Sequence, residues 1–400
     1  MFSVFKKKAV PPALERLIDV KELIASGDVQ SHLRRADAYF QNLSLASAEL
    51  RKPFMGGEAV QLVQLLGVML SHMEFYKGVR VLDFGCGTGW LSQSLALMGA
   101  EVTAVDASAT ALNLARENTH SRYPELKGSI RYVEFDGEHL DVGDGQLDRI
   151  VCMDSFHHVP NPNVIISEFA RVLVSDGRVV FSEPGESHSR SAESQHAMRT
   201  YGVIENDIVL ADIWQMAERA GFRQLKVAPY VSTPLLTLQE FEDMGSPTKA
   251  KRTMAKLFRE AYSSLPAGGR QFVLLKDETT KDSRSREGLD CRLTATTSSD
   301  GLSLKADIVA RNSGTTVWRP SGNTPGSVNL ALVTRSCDGK WDYEFRRYYP
   351  ISRHVQPGEE LCFSLTLSKS EFEGLELYAD LVAEHVIWFA QNGVAPLRLV

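Results

Sequence analysis

From residue 79 to residue 185 the chain switches repeatedly between two patterns. Apolar runs with little polar alternation, "VRVLDFG", "AEVTAVDAS", "SIRYVEFDG", "LDRIVCMDS" and "GRVVFSEPG", are separated by apolar positions at helical spacing over 90–98, 109–119 and 162–174. Such runs predict strands covered on both faces, and their alternation with helices predicts a parallel sheet between two helical layers. A helix at 210–220 and the runs "FRQLKVAPY" and "GRQFVLLKD" would complete a sheet of about seven strands, the last pair antiparallel. Upstream, 12–27 and 30–50 carry Leu14, Leu17, Ile18, Leu33, Ala36, Tyr39 and Phe40 at helical spacing. Residues 58–75 read as an amphipathic helix leading into the first strand.

Past residue 275 the texture changes. "KDETTKDSRSREGLD" is almost wholly polar and reads as a linker over 276–290. After it, "LSLKADIVARNSG", "SVNLALVTRS", "ELCFSLTLS" and "LELYADLVAEHVIWF" alternate with period two between turn-forming clusters, the pattern of a β-sandwich. The expected organisation is a helical extension over 1–55, a doubly wound, mostly parallel α/β domain over 56–275, the linker, and a separate sandwich over 291–400. A chain of 400 residues is long enough for more than one core.

Composition narrows the function classes. A formal net charge of −6 disfavours a nucleic-acid binder, which needs a basic surface. Lys6, Lys7 and Lys8 form the one basic run, read as a solvated segment or a weak contact for an anionic membrane. In "MFSVFKKKAVPP" the charges follow a very short apolar stretch, the wrong order for a secretory signal. The most apolar helix, 58–73, is interrupted by Gln61, Gln64, Ser71 and His72 and reads as core, without a membrane span. Cysteines at 86, 152, 291, 337 and 362 are scattered and lack CxxC spacing, which points to reduced thiols, no disulfide framework and no metal site. A cytoplasmic protein, at most peripheral at an inner membrane, is the expectation.

The chemistry concentrates in "VLDFGCGTGWLS", where Gly85, Gly87 and Gly89 follow a strand and open a helix. Such a turn lets a ligand approach the backbone closely. Trp90 makes the spacing GxGxG, which departs from the pyrophosphate fingerprint GxGxxG. Asp83, two residues before the first glycine, would repel a pyrophosphate and attract an ammonium or sulfonium group. S-adenosylmethionine carries both cations and no phosphate. Asp106 closes the second strand, 21 positions after Gly85, where an acid can accept both ribose hydroxyls. Asp136 closes the third, where a carboxylate can take the adenine amino group. Each acid alone could equally cap the next helix; three in register at strand ends point to a binding site.

With these motifs, residues 56–275 resemble a class I S-adenosylmethionine-dependent methyltransferase of the Rossmann-like type. "VLDFGCGTG" is similar to that family's first motif, "VDAS" to its ribose acid, "FDGEHL" to its adenine segment and "DRIVCMDSFHHV" to its fourth-strand motif. "EFARVLVSDGRVVFSEPG" resembles the helix and strand that follow. The resemblance implies methyl transfer from S-adenosylmethionine. It implies a cofactor site of Asp83, Gly85, Cys86, Gly87, Thr88, Gly89, Asp106, Ala107, Asp136, Gly137 and Met153.

Methyl transfer needs chiefly alignment and exclusion of water, with a base if the acceptor is a hydroxyl. Asp154, His157 and His158 in "MDSFHHV" should flank the methyl group, with His158 favoured as base; the alternative is that the histidines only hold the loop. Glu183, His188 and His196 are weaker candidates. The long polar segment "GESHSRSAESQHAMRTYGVIEND" should cross the mouth as a lid or a solvated loop. Trp90 and Cys86 read as packing residues, and Phe54 and Met55 as a possible roof for the methionine end.

The carboxy-terminal patterns "ADIVARNSGTTVW", "YPISRHVQPGEELCFSLTL" and "LYADLVAEHVIWFAQNG" resemble β-sandwich modules of bacterial surface-polysaccharide assembly. That resemblance implies a glycan or an assembly protein as partner, and a sugar hydroxyl as methyl acceptor. A small-molecule acceptor such as a quinone or secondary metabolite is the second reading, and a cofactor-binding scaffold the third. Trp318, Trp341, Tyr348, Tyr349 and Trp388 are the rings available for sugars, with Trp318 and Trp388 read as core and Trp341 as exposed in a turn.

Overall fold

The computed structural model describes residues 16–41, 43, 47–55, 58–228, 236–264, 269–277, 282–322, 325–336 and 338–400. Its first half contains α1 (Val20–Ala25), α2 (Val29–Phe40), α3 (Ala59–His72), β1 (Arg80–Phe84), α4 (Trp90–Leu97), β2 (Glu101–Asp106), α5 (Ala109–Arg122), β3 (Ile130–Glu134) and β4 (Leu147–Met153). Then come α6 (Pro162–Val172), β5 (Leu173–Pro184), α7 (Ala192–Tyr201), α8 (Leu210–Ala220), β6 (Gln224–Ala228), α9 (Leu238–Asp243), α10 (Pro247–Ser264) and β7 (Gly269–Leu275).

The seven strands lie in the order β3-β2-β1-β4-β5-β7-β6, and β7 is antiparallel to both its neighbours. The unbroken apolar runs are explained by the two cores they serve. Leu82, Phe84, Val105, Ile150 and Cys152 pack on one face, with Ile165, Phe169 and Ile213 of α6 and α8. The alternate residues Val81, Val102, Ala104 and Val151 pack on the other, with Met69, Leu91, Leu95 and Leu112 of α3, α4 and α5. Burying each large aliphatic side chain stabilises the fold by about 1.5–3 kcal/mol before entropic costs.

The described part of the extension is two helices broken at Gly27, with the Asp28 carboxylate capping α2 through Ser31 N at 2.7 Å. The structure departs from the pattern-based expectation in three places. β5 begins at Leu173, directly after α6. A helical pair, α9 and α10, stands between β6 and β7, where no element was expected. The described end of the linker is pinned: Ser283 is buried and its amide donates to Val317 O at 2.9 Å. Lys6, Lys7, Lys8 and Cys337 lie outside the described residues.

The remaining strands are β8 (Cys291–Ser299), β9 (Ser303–Asn312), β10 (Val328–Arg335), β11 (Trp341–Pro350), β12 (Glu360–Ser368), β13 (Glu376–Ala383), β14 (Ile387–Trp388) and β15 (Leu397–Arg398). They form an antiparallel sheet β12-β9-β8 and a second sheet β11-β10-β13-β14, with β15 also on β13. One core joins the sheets, with Ala306, Ile308 and Ala310 of β9 in the same cluster as Leu330 and Leu332 of β10 and Leu381 of β13. Trp318 is fully buried there, edge-on to Phe389. Trp341 is half-buried, a correction: pairing of β11 with β10 sets it between the Arg335 guanidinium and Tyr378. Tyr348 is exposed, while Tyr349 and Trp388 are half-buried.

These sheets dock at the amino ends of the parallel strands. Glu74, just after α3, accepts from Arg284 and forms ion pairs with Arg178 of β5 at 3.0 Å and with Arg319 at 3.0 Å. His354 lies 3.3 Å from Asp176 and edge-on to Tyr76. A cavity of about 400 Å³ remains at this seam, lined by Glu74, Arg149, Arg178, Arg284, Arg319 and His354 among others.

Candidate active site

The glycine-rich turn sits at the opposite, carboxyl ends of β1 and β2. Gly85 N and Cys86 N both donate to Val105 O, at 2.8 and 3.0 Å, which folds the turn back onto β2. Gly85, Gly87 and Gly89 have φ of +68°, +52° and +80°, angles that favour glycine. A Cβ on Gly85 would lie 2.4 Å from the Ser155 side chain, and one on Gly89 2.9 Å from Ala115. Those two glycines therefore serve the chain's own close packing. Gly87 is different, because the nearest atoms to its Cβ position belong to the Phe40 ring of α2, 3.7 Å away. Cys86 and Thr88 are buried, and Trp90 packs half-buried on the core beneath.

Asp83 is almost fully buried, and Ser92 Oγ donates to it at 2.6 Å. Among the described residues no lysine or arginine pairs with it, and burial pushes its carboxyl up to about 7. Asp106 is also buried; its Oδ2 accepts from Gly87 N at 2.8 Å and its Oδ1 from Ser108 N at 2.9 Å. Burial raises its pKa too, against the pull of those amides. Each Asp106 oxygen keeps a further lone pair for a hydroxyl donor. The site thus presents buried, uncompensated carboxylates, which suit S-adenosylmethionine and oppose a phosphate. Ala107 and Met153 border the strand ends half-buried.

Asp136 behaves differently. Its Oδ1 accepts from Glu138 N and His139 N at 2.8 and 2.7 Å, so the exposed acid closes its own turn. Gly137 beside it, at φ +94°, faces α2, where a Cβ would come within 2.4 Å of Val29.

Helix α2 was expected only as part of an extension, and it spans all three motif turns. Besides Phe40 over Gly87 and Val29 at Gly137, Gln30 Nε2 donates to Asp136 O at 2.8 Å. Asp37 Oδ1 accepts from Ser108 Oγ at 2.6 Å and Thr110 N at 3.1 Å, supplementing the cap of α5. Tyr39 packs edge-on against Tyr201 of α7, so the segment after β5 meets α2 over the cleft. Phe54 and Met55 are exposed, and none of their described contacts is with the motif turns.

At the end of β4, Asp154 adopts φ +53° and the chain turns through a single 3₁₀ turn, Phe156–His158. The Glu183 carboxylate at the end of β5 holds that turn, accepting from the amides of Ser155, Phe156 and His157. It also lies 2.8 Å from His157 Nδ1. Burial alone would lower the His157 pKa, but this bond and the Glu183 charge hold it above the ordinary histidine value. His157 is thus withdrawn from the cleft, a correction to its place as a base, because its ring is buried and its Nδ1 is committed. His158 is the accessible one. Its Nδ1 lies 2.6 Å from Ile204 O, which requires the proton on Nδ1 and leaves the Nε2 lone pair on a ring 43 % exposed.

His188 joins His157 through Glu205, which no sequence pattern marked. His188 Nε2 is 2.8 Å from Glu205 Oε2, and His157 Nε2 is 3.7 Å from the same oxygen. Burial would raise Glu205, but the His188 hydrogen bond and the neighbouring imidazoles hold it below the usual carboxylate value. The structure leaves His196 exposed on α7, hydrogen-bonding at most with Thr200, so it has no place in this cluster.

Residues 82–181 match the model of a family described as "Methyltransferase domain". The chain carries a methyltransferase domain. Its cofactor is S-adenosylmethionine. Within this domain the chain is similar to ubiquinone biosynthesis O-methyltransferases of Glaesserella parasuis (39% identical over 106 residues, 26% of this chain and 45% of the relative) and Shewanella pealeana (41% over 106 residues, 26% and 43%). The chain thus spans less than half the length of these curated relatives. Among solved structures it is similar to phosphoethanolamine N-methyltransferase 2 of Haemonchus contortus in complex with S-adenosyl-L-methionine, at 17% identity and a TM-score of 0.40, covering 66% of this chain and 61% of that one. No helix among the described residues is long and apolar enough to cross a membrane.

Proposed function

We propose that the protein transfers a methyl group from S-adenosylmethionine to a hydroxyl oxygen of a small-molecule acceptor. When bound, the cofactor supplies an activated methyl on a sulfonium centre. Asp83 would hold its cationic amino-acid end and Asp106 its ribose hydroxyls, while α2 covers the cleft and excludes water. His158 Nε2 would accept the proton of the acceptor hydroxyl.

The observation that carries this reading is the pairing, at carboxyl ends of one sheet, of a carboxylate-lined glycine turn with a half-exposed imidazole of fixed tautomer. The relatives' name, an O-methyltransferase of ubiquinone biosynthesis, favours a small hydroxylated acceptor over the sugar hydroxyl expected from the sequence. The position of the carboxy-terminal sheets favours it as well. They attach at the amino ends of strands such as β4, seven residues and about 20 Å from the motif ends, so a sugar held there lies away from the methyl group of the same molecule.

The test is turnover of isotopically labelled S-adenosylmethionine with panels of phenolic, quinol and sugar acceptors, products identified by mass spectrometry. Transfer to a phenol or quinol supports the reading, and transfer to sugars alone overturns the acceptor class. With an active acceptor, His158→Ala should lower turnover by about 100-fold while cofactor affinity changes little. Equal losses in both would make His158 a binding residue.

A further inference from the structure

The buried imidazole–carboxylate cluster beside His158 has the composition and spacing of a ligand set. We propose that His157, His188 and Glu205 bind one divalent transition-metal cation of the zinc type. Their ligand atoms all lie within 4.8 Å of one another, and the three come from the 3₁₀ turn after β4, the segment after β5 and the extended stretch before α8.

Three observations carry the assignment. The first is the orientation of His157. Its Nδ1 is bonded to Glu183, so Nε2 is the nitrogen that faces Glu205 and His188; metal-binding histidines are held by a carboxylate on the far nitrogen in the same way. That Nε2 belongs to a side chain only 3 % exposed and lies 3.7 Å from Glu205 Oε2, beyond hydrogen-bonding distance. The second is spacing. Bonds of ~2.0–2.1 Å around a tetrahedral ion separate its ligand atoms by about 3.3 Å. The separations to Glu205 Oε2, 2.8 Å from His188 and 3.7 Å from His157, bracket that value. The third is charge. Glu183 and Glu205 are both buried, and among the described residues their charged partners are imidazoles, never a lysine or arginine, and an imidazole that ligates a metal is neutral. A cation between the rings would compensate them.

Two imidazole nitrogens and one carboxylate oxygen suit zinc and its neighbours, and disfavour magnesium and calcium, which prefer oxygen. Three protein ligands leave a position open, as in catalytic zinc sites. The expectation of no metal came from cysteine spacing, and this set contains no cysteine. Binding itself does not depend on the methyl-transfer reading. If that reading holds, the cation lies beside His158 and lowers the pKa of an acceptor hydroxyl that reaches it.

The experiment uses the full chain, stripped with a chelator and titrated with Zn²⁺ against a chromophoric competitor. Co²⁺ substitution serves as a spectroscopic check. One equivalent should bind, with visible Co²⁺ bands of mixed nitrogen and oxygen coordination. His188→Ala and Glu205→Gln should each weaken Zn²⁺ binding by more than about 100-fold. Unchanged S-adenosylmethionine binding and a cooperative melting transition will show that these variants fold. A wild-type chain that takes up no equivalent, or variants that bind like it, overturns the site. Stoichiometric zinc lost in both variants, with no acceptor methylated, would sustain the site and count against the proposed function.

Discussion

At the scale of single residues the donor site turns on two buried acids that do different work. Asp106 accepts from two backbone amides, and its remaining lone pairs supply affinity for the ribose hydroxyls. Asp106→Ala should weaken S-adenosylmethionine binding by about 1–3 kcal/mol in calorimetry, and unchanged affinity in a folded variant would remove it from the site. Asp83 supplies a pH dependence. Its carboxyl is raised from an ordinary 3.8 to about 7, so folding favours its neutral form. That contribution to stability is complete below pH 3.8 and is lost as the pH rises through 7. A bound cation favours the ionised form instead, so affinity should rise with pH across the same window. At pH 6 about a tenth of Asp83 is ionised, which predicts about tenfold weaker donor binding than at pH 8. Asp83→Asn should bind weakly and lack this component; a wild-type profile that parallels the variant's would show that Asp83 does not meet the cation. Both acids were legible because strand ends and glycine spacing are local features. Glu205 was not, since nothing in "YGVIENDI" marks a glutamate that meets His157, 48 positions earlier.

At the scale of elements, the helices and parallel strands followed from periodicity, and the roof over the site did not. Helix α2 reads as an ordinary amphipathic segment, and what makes it functional is contact with distant turns: Asp37 with Ser108, 71 residues on, and Gln30 with Asp136, 106 residues on. No local pattern encodes such pairs. The α9 helix, also unexpected, is the opposite case, because its capping box Thr237–Glu240 lies within four residues and is a local signal that apolar periodicity alone passes over. The Asp37 staple has a measurable consequence. Asp37→Ala removes a charged cap from α5 and one anchor of α2, each interaction worth about 1 kcal/mol. Backbone amides of residues 29–40 should then exchange with solvent about tenfold faster, and donor binding should restore part of the protection. Exchange in α2 indifferent to both the substitution and the donor would mean that this helix does not roof the cofactor.

At the scale of the whole molecule, the two ends of the parallel sheet carry separate tasks. Chemistry gathers at the carboxyl ends, and the seam with the carboxy-terminal sheets lies at the amino ends, where Glu74 stands among Arg178, Arg284 and Arg319. Burial would raise the Glu74 pKa, but the surrounding guanidinium charges hold it below the usual carboxylate value, so it stays ionised near neutrality. Arg319 is almost fully buried, and Arg178 is largely so. Removing the acid they share leaves Arg178 without a counter-charge and Arg319 with only the more distant Asp282, the costly half of a buried ion pair. Glu74→Gln should therefore destabilise the protein by about 3 kcal/mol. In scanning calorimetry the carboxy-terminal sheets should melt apart from the methyltransferase domain, where the wild type melts as one unit. Donor affinity should stay within about twofold, because additivity holds for sites this far apart. A variant that melts like the wild type would mean that Glu74 does not tie the seam together. One that keeps a single transition but loses donor affinity would instead show the two ends of the sheet to be coupled, and would place the carboxy-terminal sheets in control of the methyl donor.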